Sequence, residues 1–75
     1  MTSILKIPSL RGDDEFTWDP EVDDERLARA RREFRLARER SCFAYSRLQS
    51  GDTQVIDDFD PAAREILMAV PLMGG

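Results

Sequence analysis

Between residues 19 and 40 the chain carries a pattern that only one local structure satisfies. Leu27, Ala30, Phe34 and Ala37 recur at steps of three, four and three, the spacing of one narrow apolar stripe on a helix. Val22 lies roughly on the same stripe one turn earlier. Charge follows the same axis. Residues 13 to 25 hold eight carboxylates and no basic residue, whereas residues 26 to 40 hold seven arginines against Glu33 and Glu39. That order sets negative charge at the positive end of a helix dipole and positive charge at its negative end. Asp19-Pro20 supplies a capping carboxylate and a proline at the first helical position, where its missing N–H costs nothing. Glu25 and Arg29 form a favourably oriented i,i+4 pair. The pattern predicts one helix from about 20 to 40.

A helix with one apolar stripe needs a second layer to cover it. After residue 41 the period shortens towards two. Cys42 to Leu48 reads as a strand, Gln49-Ser50-Gly51-Asp52 as a turn, and Thr53 to Phe59 as the returning strand of a hairpin. Asp60-Pro61 breaks that strand, since proline cannot donate to a ladder and restricts the residue before it. Ala62 to Glu65 is expected to form a short helical turn or loop. Ile66 to Val70 has no polar interruption, the pattern of a strand buried on both faces, and Pro71 ends it. In the first eighteen residues, Ile4 to Ile7 reads as a strand stopped by Pro8, and Phe16 to Trp18 as another. Gly12 and its charged neighbours favour a loop between them. The expected class is α+β: one long helix packed on a small, mainly antiparallel sheet of three to five strands. Residues 1–18 form an N-terminal arm or hairpin, and residues 19–75 hold the helix, the sheet core and a diglycine tail.

The chemical inventory restricts function. Among 75 residues there is no histidine, one lysine (Lys6) and one cysteine (Cys42). A Cys-His nucleophilic pair and a Cys/His zinc site are both out of reach. The carboxylates show no calcium-loop spacing, and a pair such as Asp57/Asp58 needs a cleft before one pKa rises far enough for acid–base work. The expectation is a protein that is not an enzyme and needs no cofactor or metal. Cys42 reads as a small buried hydrophobe. A lone cysteine, with no signal-peptide or membrane-spanning run, places the chain in the reducing cytoplasm and away from membranes.

Two features remain as functional candidates. The arginines at 26, 29, 31, 32, 35, 38 and 40 spread round most of the helix outside its stripe, and the chain has a net charge of -4. They read as a solvated, internally paired surface rather than a nucleic-acid interface. Phe16 and Trp18 lie outside the periodic segments and read either as caps on the core or as exposed docking anchors, since aromatic residues dominate interface hot spots.

The other candidate is the segment Ile66-Leu67-Met68-Ala69-Val70-Pro71-Leu72-Met73-Gly74-Gly75. An apolar strand, a proline, two apolar residues and a diglycine resemble the ends of ubiquitin-like sulfur carriers of the β-grasp fold. The small subunit of molybdopterin synthase ends in a strand, Pro-Pro, two further residues and Gly-Gly. Here Val70 stands at the first proline of that pair, and Met73 precedes the diglycine. The resemblance implies a β-grasp domain in which an E1-like partner activates the Gly75 carboxylate with ATP. Gly74 and Gly75 are then the reactive end, and Pro71, Leu72 and Met73 the docking segment. A second reading is a small structural or adaptor subunit of a larger assembly, such as a phage particle, holding neighbours through its termini.

Overall fold

The computed structural model describes residues 2–9, 12–40 and 42–70. Two strands, β1 (Ser3–Ser9) and β2 (Gly12–Trp18), precede a single helix, α1 (Glu25–Glu39). The strands β3 (Phe43–Arg47), β4 (Thr53–Ile56) and β5 (Glu65–Ala69) follow. All five strands join one sheet in the order β2-β1-β5-β3-β4. The pairings β1/β2, β3/β4 and β3/β5 are antiparallel, and β1/β5 is parallel. The protein is thus a small α+β domain, one helix on a five-stranded mixed sheet. Three of the four pairings are antiparallel, in keeping with a mainly antiparallel sheet; the parallel pairing of β1 with β5 joins segments some sixty residues apart and leaves no local mark.

The stripe predicted for the helix is the buried face: Leu27, Ala30, Phe34 and Ala37 are all in the core. The start of the helix differs. Asp19 accepts from the Glu21 N–H at 2.9 Å while its carbonyl accepts from Val22 N–H at 3.1 Å, so it closes a turn of its own. The cap is Asp24, whose Oδ1 accepts from the N–H groups of Arg26 and Leu27 at 3.0 and 3.3 Å. Two orphan donors are satisfied there. Val22 consequently lies outside the helix and is exposed.

β1 and β2 pair antiparallel within the sheet, which puts Leu5, Ile7 and Trp18 in the core. Pro8 does not end β1, which runs on to Ser9. β5 pairs with β1 only from Ile4 to Lys6, so the N–H that Pro8 lacks has no partner to lose on that side. Gly12 opens β2 with φ 112°, a backbone angle at which a side chain is strained. Asp13, Asp14 and Glu15 lie within β2 rather than in a loop. They are tolerated because β2 is an edge strand and leaves them in water.

Turn chemistry at 49–52 is as read: Gly51 has φ 94°, and Leu48 N–H donates to the Asp52 carbonyl at 2.8 Å. β4 stops at Ile56, three residues short of the expected end. The chain bends at Asp57-Asp58, and Phe59 turns inward. The Phe59 ring meets Trp18 at 5.0 Å and Phe34 at 5.8 Å between centroids, in tilted and edge-on geometries. Trp18 Nε1 donates to the Pro61 carbonyl at 3.0 Å, tying the hairpin to the connection before β5. The turn lies at Pro61-Ala62, closed by the Ala63 N–H donating to the Asp60 carbonyl at 3.1 Å, and Glu65 already belongs to β5. Two buried hydroxyls, Ser3 Oγ and Ser46 Oγ, have no hydrogen-bond partner among the described residues, and nothing in the structure accounts for them.

Two outcomes follow. Phe34→Ala removes a ring that is 1% exposed and bridges helix to Phe59, and is expected to cost about 3–5 kcal/mol. For a chain of this size that is most of the folding free energy, so urea titration should show a largely unfolded population in buffer. The second concerns Asp24. Desolvation tends to raise its pKa, but the bonds from Leu27 and Arg26 N–H and the Arg26 guanidinium outweigh this and hold it below its ordinary value. A depressed carboxylate contributes stability above its unfolded-state pKa and loses it as pH falls through the folded one. Thermal melts should therefore fall below about pH 4 in the wild type. Asp24→Asn should keep a cap and lose that part of the pH dependence.

Candidate functional site

One helix covers one face of the sheet, so the alternation of each strand decides what lies on the other. On β5, Ile66 and Met68 turn to the helix side while Glu65, Leu67 and Ala69 turn away. On β3 the small residues Ala44 and Ser46 are buried, and Phe43, Tyr45 and Arg47 are exposed. The β5 segment is thus buried on one face and not on both: Leu67 is 36% exposed, and Val70 just beyond is 61% exposed. A continuous apolar run marks a doubly covered strand only where a second layer exists.

Strand register arranges the open face in rows. One row runs Glu15, Lys6, Leu67, Tyr45, Val55 from β2 to β4. The next, towards the C-terminal end of β5, holds Asp13, Pro8, Ala69 and Phe43. The row on the other side sets Glu65 between Lys6 Nζ at 3.6 Å and Arg47 NH1 at 3.7 Å. Phe43, Tyr45, Val55 and Leu67 therefore form an exposed apolar group with one charged flank. It lies at the end of the sheet where β5 runs on towards Pro71.

Of the residues singled out from sequence, Pro71, Leu72, Met73, Gly74 and Gly75 lie outside the described residues. Trp18 is fully buried and acts from within the core, not as a docking anchor. Phe16 is half-buried on the helix side of β2, with the Arg29 guanidinium 5.3 Å from its ring centroid. Arg29 makes that contact instead of the i,i+4 pair with Glu25. The helix arginines divide by flank. Arg26 and Arg29 border β2, while Arg31 lies 5.9 Å over Phe59 and Arg38 pairs with Asp57 at 3.6 Å. Only Arg26 and Arg38 of the seven have a carboxylate partner among the described residues, so the helix surface is less internally paired than its composition suggests.

Cys42 is buried. Asp57 and Asp58 are exposed on a bend, with no enclosing walls among the described residues. No group of three or more His, Cys, Asp or Glu side chains among the described residues is placed to hold a metal ion. No helix among them is long and apolar enough to cross a membrane.

Phe43, Tyr45 and Val55 were missed by sequence reading. The signal was available in β3, where large apolar residues alternate with the small residues Ala44 and Ser46, but the alternation alone does not say which set faces the helix. If this face is open as described, Val55→Asp on edge strand β4 should change unfolding free energy by no more than about 0.5 kcal/mol. A urea midpoint that drops well beyond this would mean that Val55 is covered.

Comparisons with family models, with curated proteins and with solved structures found no match to this chain.

Proposed function

We propose that this protein is a non-catalytic, β-grasp, ubiquitin-like or sulfur-carrier-like protein whose Gly74-Gly75 segment is engaged by a protein partner of the E1-like, adenylating kind. The observation that carries this reading is the place of β5. The strand leading into Pro71 lies in the middle of the sheet, parallel to β1 and between β1 and β3. The element order, a hairpin, a helix and further strands, supports the β-grasp assignment. A tail that leaves from a central strand is held firmly at its root, which limits the entropy lost when a partner grips it.

The chemistry assigned to the tail follows from its residues. Adenylation of a carboxylate requires the chain end to thread a narrow channel, and two glycines carry the least bulk and the widest backbone freedom. The exposed group Phe43, Tyr45, Val55 and Leu67 lies on the open face of the sheet that carries the strand leading into that segment, and gives the partner an apolar surface to hold. The partner does the chemistry, in a cytoplasmic setting, and the product is a thiocarboxylate, a thioester or an isopeptide at Gly75.

A second reading, an adaptor subunit of a larger assembly, draws on the same apolar face. Its N-terminal arm is not supported, because β1 and β2 are committed to the sheet. One experiment separates the two. The full chain is mixed with candidate adenylating enzymes from its source and ATP, and intact mass is followed. The expected result is an ATP-dependent mass change localised to Gly75 and lost on deletion of Gly74-Gly75. If the deletion leaves cellular function intact, the carrier reading fails and the adaptor reading stands.

A further inference from the structure

β2 is an edge strand of seven residues, and one side of its backbone has no partner strand among the described residues. Ser9 pairs with Gly12 across a two-residue connection, which fixes the alternation of the ladder. Counting from that pair, Asp14, Phe16 and Trp18 exchange bonds with β1, and Asp13, Glu15 and Thr17 turn their N–H and C=O groups outward. Pro8, opposite Asp13, agrees with this parity, since it needs no N–H towards β2. The other edge, β4, offers only four residues.

Alongside the free edge of β2 runs the flank of α1. A cleft of about 270 Å³ lies between them, lined by Glu15, Phe16, Thr17, Arg26 and Arg29. Its helix wall is cationic, and Arg29 has no carboxylate partner among the described residues. Its floor includes the half-buried Phe16 ring. On the opposite side of the same strand, Asp13 and Glu15 project onto the open face of the sheet.

We propose that the β2 edge takes up an extended peptide segment of another protein as a sixth strand. Side chains of an added strand alternate between two faces. Those on the helix side would meet Phe16, Arg26 and Arg29, which fits apolar and acidic residues. Those on the other side would meet Asp13 and Glu15, which fits lysine or arginine. Main-chain bonds to Asp13, Glu15 and Thr17 supply affinity, and the two-sided charge pattern supplies selectivity. A second copy of this chain is the wrong occupant: pairing β2 with β2 stacks Asp13 and Glu15 against their equals, between molecules of net charge -4. Nucleic acid is disfavoured by the three consecutive carboxylates along the same strand. The proposal is independent of any reaction at Gly75.

The test is selection of a random heptapeptide library against the immobilised full chain, followed by titration of synthetic selected peptides into ¹⁵N-labelled protein. The expected peptides alternate acidic or apolar residues with basic ones, and their amide shifts centre on Asp13, Glu15, Thr17, Arg26 and Arg29. Arg29→Glu, at an exposed position, should weaken binding by about tenfold or more with an unchanged circular dichroism spectrum. N-methylation of alternate peptide amides should abolish binding to the unmodified protein in one parity and spare it in the other. The idea is overturned if no peptide is enriched, or if shifts fall on Phe43, Tyr45 and Leu67. Binding indifferent to methylation in both parities overturns it equally.

Discussion

The fold rests on one layer of apolar contact, between the stripe Leu27, Ala30, Phe34, Ala37 and the helix-facing residues of the sheet. Leu5 and Ile7 of β1, Ile66 and Met68 of β5, and Ala44 of β3 supply the other side of that layer. Trp18 closes one end, packed on Phe59 and bonded to the Pro61 carbonyl. Through that contact the connection from β4 to β5 is fixed to the hairpin, so the last strand enters the sheet at a defined height. Remove the layer and nothing else is large enough to hold 75 residues.

A chain with one helix cannot cover both faces of a five-stranded sheet. The consequence is visible in Phe43, Tyr45, Val55 and Leu67, which are apolar, in strands and exposed. Their exposure is a property of the architecture rather than of any local irregularity. The same economy leaves β2 at an edge, where Asp13, Asp14 and Glu15 keep the strand in solution and discourage pairing with its own kind. The open sheet face and the β2 edge are what remains after the single core has been built.

The helix stripe was legible because periodicity is local: four residues at helical spacing declare a buried face without reference to anything else. The turn at Gly51 was legible for the same reason. The helix start was not, because Asp19 and Asp24 offer the same capping chemistry and only geometry decides which one reaches two free N–H groups. Nor was the exposure of Leu67, since an apolar run states what a strand tolerates and not how many layers will cover it. The parallel pairing of β1 with β5 is likewise absent from any local pattern.

The candidate surfaces divide along the same line. Phe16 and Trp18 are two residues apart on one strand and looked equivalent as aromatic anchors. Both turn to the helix side, yet their fates differ with position along the sheet. Trp18 lies at the end of β2, where Phe59 folds over it and Pro61 offers a carbonyl, and it is consumed by the core. Phe16 lies one step nearer the hairpin turn, at the margin of the core, where the Arg29 guanidinium lies over its ring. Phe16 therefore remains half-buried at the wall of the cleft between β2 and the helix. Whether an aromatic residue of β2 is fully or only half buried is here set by what the β4–β5 connection covers.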